Sequence, residues 1–117
     1  MTVSQAILRA DALAPNTLSQ PDKCRHLAQV DQRVVCELYE YNRQAVLALP
    51  KVDEPAAELL IPAPWDEAYV YYLAAMIEYA RGEIARYNEH IALFTSLWEG
   101  YAAHLCRTRP TRGGFRY

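Results

Sequence analysis

From Asp66 to Cys106 the large apolar residues of this 117-residue chain hold a single helical phase. Tyr69, Leu73, Met76, Ala80, Ile84, Tyr87, Ile91, Phe94, Trp98, Tyr101 and Leu105 follow one another at steps of three or four, and ten such steps cover thirty-six residues. That spacing averages the 3.6-residue repeat of an α-helix. A helix of this length reaches roughly 60 Å at 1.5 Å per residue, against a usual globular helix of about 11 or 12 residues. A chain this small offers too little surface to cover the whole stripe, so the excess calls for another copy or another protein. Gly82 lies inside the stretch and costs a helix about 1 kcal/mol relative to alanine. Because the apolar phase continues through it, Gly82 reads as a helical glycine, exposed or closely packed, with a break into two helices as the alternative.

The length fits one domain, and a domain of this size buries only about two-thirds of its unfolded surface. Nine tyrosines stand among the 52% of residues that are hydrophobic. Tyrosine buries a ring and keeps a polar tip, which suits a protein contact or the edge of a core. The net charge of -2 is unevenly spread: Arg107, Arg109, Arg112 and Arg116 close the chain with no acid among them. Subtracting those four charges leaves about -6 on the body, so the tail is a basic arm on an acidic body. Pro110, Gly113 and Gly114 argue against a helical tail. Its expected roles are contact with nucleic-acid phosphates or an acidic neighbouring subunit, or simply a solvated end.

Ahead of the long stretch, Thr2 and Gln5 fit a capping box that opens a helix to about Leu13, with Ile7, Leu8 and Ala12 as its apolar face. Ser19 caps a second helix, with Pro21 and Asp22 suited to its first turn, running from about Gln20 to Gln44. Its stripe reads Cys24, Leu27, Ala28, Asp31, Val34, Val35 and Leu38, with Tyr41 or Tyr39 at the edge. Asp31 is the misfit, since a carboxylate on an apolar face needs a partner. It is expected to meet an arginine or tyrosine of the long helix or of another subunit, or to sit half-exposed at the edge of the stripe. Prolines 50, 55, 62 and 64 exclude a regular helix between Ala45 and Trp65. That stretch reads as two short extended segments around a turn, acting as a contact arm or folding back so that Leu60 and Ile61 plug the bundle. Glu78 with Arg81, Glu83 with Arg86, and Arg86 with Glu89 are spaced for surface pairs.

Nothing in these residues forms a catalytic constellation, and the chain is read as a non-enzyme without cofactor or metal. His26, His90 and His104 lack the spacing of a metal motif, and no glycine-rich loop is present to cradle a phosphate. Cys24, Cys36 and Cys106 form no metal or redox pattern. Cys24 and Cys36 are more than three turns apart on one helix, too far to pair within the chain. No signal peptide opens the sequence and no run of eighteen apolar residues crosses it, so the expectation is an intracellular soluble protein with reduced thiols and no membrane contact.

A resemblance is carried by Leu59 to Pro64 with Trp65 and Asp66, by Tyr69, Tyr71 and Tyr72, by Gly82, Glu83, Arg86, Tyr87 and Asn88, and by Tyr101 with Arg107 and Thr108. With the opening residues Thr2 to Ile7 and the helix bearing Asp31, these positions resemble the small head-tail connectors, or neck adaptors, of phages and prophages of gut bacteria. The resemblance spans most of the chain and consists of scattered positions rather than a catalytic signature. It implies a helical structural protein that joins a ring of its own copies between the portal and the tail or neck proteins, with DNA in the channel as a further contact. It also implies a place in the virion after synthesis in the bacterial cytoplasm. The chain departs from the family pattern in carrying Ala80 and Arg81 before Gly82, where a Tyr-Asn pair is usual, and in its short middle arm.

The fold expected is therefore all-α. A helical domain of residues 1–106 forms a small bundle with one very long C-terminal helix, or a helix pair broken near Gly82, and a proline-bounded arm at about 45–65. The basic tail covers residues 107–117. Interface residues are expected among Leu59, Leu60, Ile61, Trp65, Tyr69, Tyr72, Tyr87 and Trp98, with Arg107, Arg109, Arg112 and Arg116 as tail contacts. The rival reading is a helical dimeric interaction or regulatory protein unrelated to virions, binding nucleic acid through its arginine tail.

Overall fold

The computed structural model describes residues 1–38 and 55–108. Its first helix, α1 (Val3–Leu13), begins at the capping box read from the sequence: the Thr2 hydroxyl accepts from the Gln5 N–H, and the Gln5 side chain accepts from the Thr2 N–H. Two more of the free N–H groups at this helix start are satisfied by a strap that follows Pro55. Val3 donates to the Ala57 carbonyl and Ser4 to the Pro55 carbonyl, each at 3.0 Å, and Thr2 bridges Glu58 in antiparallel fashion. The strap fixes which side of α1 faces inward. Val3, Ala6, Ile7 and Ala10 are buried, whereas Leu8, expected on the apolar face, is 72% exposed and Ala12 is exposed as well. Small Ala6 and Ala10 admit neighbours closely, which the larger Leu8 does not.

Helix α2 (Gln20–Arg33) starts where expected. The Ser19 hydroxyl accepts from the Asp22 N–H, Pro21 stands in the first turn, and Asp22 lies at the positive end of the dipole. Cys24, Leu27, Val30 and Asp31 point inward, and the helix widens into a π-helical turn at Val34–Leu38 whose Val34 and Val35 are buried. The expected continuation to Gln44, with Tyr39 and Tyr41, lies outside the described residues. Between α1 and α2, Asn16 donates to the Asp11 carboxylate and the Ala14 carbonyl and accepts from the Leu18 N–H, while the buried Lys23 pairs with Asp11 at 2.9 Å.

The long apolar stretch is two helices, α3 (Glu67–Ala80) and α4 (Ile84–Thr108). The expectation of one uninterrupted helix through Gly82 gives way to its alternative. Gly82 takes a φ of 76°, a left-handed conformation that costs other residues a clash at Cβ. The Gly82 N–H donates to the Tyr79 carbonyl and the Glu83 N–H to the Glu78 carbonyl, so the end of α3 is closed by a Schellman motif. α4 then folds back antiparallel along α3. The ring pairs show the register: Tyr79 meets Tyr87, Tyr72 meets Phe94, and Trp65 meets Tyr101, moving outward from the turn in equal steps on both sides.

The core is organised on α3, which contacts α1, α2 and α4 and buries Ala68, Tyr69, Val70, Leu73, Ala74, Ala75, Ile77 and Glu78. Leu59 and Ile61 of the strap close one side. The folded-back reading of the middle arm thus holds for its second half, with Ile61 and Leu59 as the plugs and Leu60 half-buried. Residues 45–54, the first half of the expected hairpin, lie outside the described residues. The molecule is elongated, 52 × 29 × 20 Å.

Candidate functional site

Asp31 is the most unusual buried group. It is 1% exposed and accepts hydrogen bonds on one oxygen from the Tyr69 hydroxyl at 2.5 Å and from the Leu60 N–H at 3.4 Å. The Ile61 N–H donates in turn to the Tyr69 hydroxyl at 2.7 Å. One carboxylate therefore joins α2, α3 and the strap, meeting a tyrosine as one of the sequence alternatives had it. Burial raises the Asp31 carboxyl from 3.8 to about 6, while the bonds from Tyr69 and Leu60 pull in the opposite direction. This arrangement positions backbone; no reacting group or opening adjoins it in the described contacts.

The expected interface residues divide in two. Leu59, Ile61, Tyr69 and Trp98 are at most 8% exposed and form part of the chain's own core rather than its surface. Tyr69 is enclosed by Asp31 of α2 and the strap, and Trp98 is brought to the bundle by the folding back of α4 on α3. Leu60, Trp65, Tyr72 and Tyr87 are half-buried. The Tyr72 hydroxyl donates to Gln29 at 3.1 Å, and burial pushes its pKa up. Trp65 lies against the rings of Tyr101 and His104, and Gly100 makes room for it, since a Cβ there would stand 3.2 Å from the indole nitrogen. The Arg33 guanidinium covers Trp98, 4.6 Å from the ring centroid. Sequence reasoning missed both of these contacts. The available signal for the first was a glycine next to Tyr101; Arg33 lies on α2, and its contact with Trp98 depends on how α2 and α4 are brought together.

The large apolar side chains that are exposed among the described residues are Leu8, Leu13, Tyr79, Ile84 and Leu93. Leu8, beside Met1 and Asp66, marks the end where α3 begins. Tyr79, 62% exposed, and Ile84, 53% exposed, flank the Gly82 turn at the other end. The fourteen residues of α3 separate them by roughly 20 Å at 1.5 Å per residue. Near the turn a cleft of about 750 Å³ opens between the α1–α2 connection and the end of α3, lined in part by Asn16, Asp22, Ile77 and Arg81. Arg81 is committed there, donating to the Pro15 carbonyl at 3.0 Å. The Ser19 hydroxyl beside Asp22 holds that carboxyl below its ordinary value.

Of the expected surface pairs, Glu78 and Arg81 approach to 3.9 Å, but Glu78 is fully buried rather than on the surface because α3 is enclosed at that level. Neither Glu83 nor Glu89 makes an ion pair with Arg86 among the described residues. His26 meets Gln29, His90 stacks on Tyr71 and His104 packs on Trp65, three separate places. Among the described residues no three His, Cys, Asp or Glu side chains are grouped to hold a metal ion. Cys24 is buried, whereas Cys36 and Cys106 are exposed. No described helix is long and apolar enough to cross a membrane. Arg107 is exposed in the last turn of α4; Arg109, Arg112 and Arg116 lie outside the described residues. No protein-family model matches this chain, and no curated protein or solved structure does either.

Proposed function

We propose that this chain is a structural protein that assembles head to tail with its own copies, as a head-tail connector of a phage or prophage neck. The observation that carries the reading is that unlike exposed apolar side chains stand near opposite ends of α3, Leu8 at one and Tyr79 with Ile84 at the other, with Leu13 and Leu93 exposed besides. A ring contact is heterologous and needs two different patches per subunit, whereas a two-fold dimer needs one self-complementary patch. The resemblance of the strap, the tyrosine cluster and the hairpin residues to connector proteins supplies the placement between portal and tail. The basic tail that begins at Arg107 supplies charge for the portal, a neighbouring subunit or channel DNA.

The test is complementation of broken patches. Leu8→Glu and Ile84→Glu each leave one patch intact, so either variant alone stays monomeric. An equimolar mixture stops at a heterodimer, while the parent chain forms a large closed species by light scattering, alone or on a portal ring. Parent-like assembly of both single variants would refute the reading.

A further inference from the structure

The apolar phase that runs unbroken through Gly82 retains a physical meaning although the chain turns there. Tyr79, Tyr72 and Trp65 are spaced seven residues apart on one side of the turn, and Tyr87, Phe94 and Tyr101 seven apart on the other, each paired ring to ring with its counterpart. Placed on one continuous helix at 100° per residue, all six fall within about 80° of arc, a single stripe. Two such helices laid antiparallel, crossing at the turn, bring each residue opposite the same counterpart it meets in the hairpin. Every aromatic pair of the hairpin is then remade between two chains.

The turn itself is short. Arg81, Gly82 and Glu83 alone separate α3 from α4. Gly82 is held left-handed by two Schellman hydrogen bonds, and a Cβ there would meet nothing within 4 Å. Backbone conformation, rather than packing, selects glycine. Beyond α3, α4 is touched by Trp65 at Tyr101 and His104 and by the Arg33 guanidinium over Phe94 and Trp98, contacts that a second copy's α4 would satisfy equally.

We propose that the Gly82 turn is a hinge whose open form is one continuous helix from α3 through α4, and that this form pairs with a second copy of the chain by exchanging α4, each α4 lying on the other copy's α3. The exchange reproduces the contacts of the closed subunit, so the two forms differ chiefly in the conformation at Gly82 and in protein concentration. The inference stands apart from the ring reading: Leu8 is remote from the hinge, and Leu8→Glu leaves the exchange unchanged.

The experiment combines a hinge substitution with a cross-link that reports which chain supplies α4. Gly82→Ala disfavours the left-handed turn and favours a helix through it, raising the dimer association constant about tenfold at each of two hinges, or about a hundredfold. Gly82→Asn, which tolerates the turn, stays close to the parent. Light scattering over a wide concentration range reads the masses. In a chain with Cys36→Ser and Cys106→Ser, the pair Tyr71→Cys and His90→Cys, whose parent rings stack across the hairpin and would stand about 28 Å apart along one open helix, is joined by a short bismaleimide. Cross-links between chains in the dimer and within chains in the monomer are expected. A Gly82→Ala chain that stays monomeric while keeping its helical signal, or a dimer whose cross-links lie within each chain, overturns the proposal. Should Gly82→Ala fail to fold, the cross-linked chain with Gly82 decides alone: at high concentration it yields a cross-linked dimer, and its absence refutes exchange.

Discussion

Helices α3 and α4 share one apolar register and are joined by a single turn, yet α3 buries eight of its fourteen residues and α4 only three of its twenty-five. The difference comes from position. α3 is enclosed by α1, α2 and α4, so Ala68, Val70, Leu73, Ala74, Ala75 and Ile77 are all covered. α4 meets the bundle along one stripe, anchored by Phe94, Trp98 and Tyr101, and shows its remaining faces to solvent. Similar periodicity therefore conceals two jobs. One helix is the axis of the core, and the other is a strut whose outer surface faces solvent.

The comparison is tested first at Leu73, which is fully buried on α3. Leu73→Ala is expected to lower stability by about 3 to 4 kcal/mol through lost burial and the cavity left behind, measured by chemical denaturation. A loss below about 1 kcal/mol would mean that α3 is not the axis of the core.

The next effect concerns the carboxylate that ties α3 to α2 and the strap. Asp31 has a folded pKa raised to about 6 from 3.8, so the folded protein holds a proton between those values that the unfolded chain releases. Its contribution to stability is complete below pH 3.8 and is lost as pH rises through 6, a change of about 3 kcal/mol. Asp31→Asn keeps an acceptor for Tyr69 and Leu60 and removes the titration. The stability of the variant minus that of the parent should therefore climb by about this amount from pH 4 to pH 7. A difference that stays flat across the window would show that the buried carboxyl does not titrate there.

A smaller effect is expected where α4 meets Trp65. Gly100→Ala gains helix propensity of up to about 1 kcal/mol. Its Cβ, however, would stand 3.2 Å from an indole already held by the rings of Tyr101 and His104. We expect a net loss of about 1 kcal/mol, seen as a lower melting temperature; a rise would mean that the indole can move aside. The smallest effect belongs to the outer face of α4. Leu93 is 46% exposed, and Leu93→Ala should change stability by no more than about 0.5 kcal/mol, a value that sharpens the contrast with Leu73.

Much of the local structure was legible. The capping box at Thr2 and Gln5, the Ser19 cap with Pro21 and Asp22, and the inward Leu27, Asp31 and Val34 all follow from short-range chemistry, and the structure contains them. The inward face of α1 was not legible. Leu8 and Ile7 are nearly equal in hydrophobicity, and the strap chooses between them by pairing with Thr2, Val3 and Ser4 from more than fifty residues away. Glu78 was misplaced for a related reason: its spacing to Arg81 is that of a surface pair, and its burial depends on elements packed around α3. The candidate interface residues were misplaced likewise, since Trp98 joins the core only when α4 folds back and Tyr69 is enclosed by α2 and the strap.

The sequence by itself determined that this chain is helical, where its first two helices begin, and that one apolar phase extends from Tyr69 to Leu105. Each is a property of neighbouring residues within a few turns. Only the tertiary structure decided that the phase is folded in two, with Gly82 at a φ of 76° and Asp31 enclosed by Tyr69 and the strap. A period of 3.6 describes a helix and its folded halves equally well. The choice falls to the ring pairs and buried area that α3 and α4 gain by meeting, contacts between residues far apart along the chain.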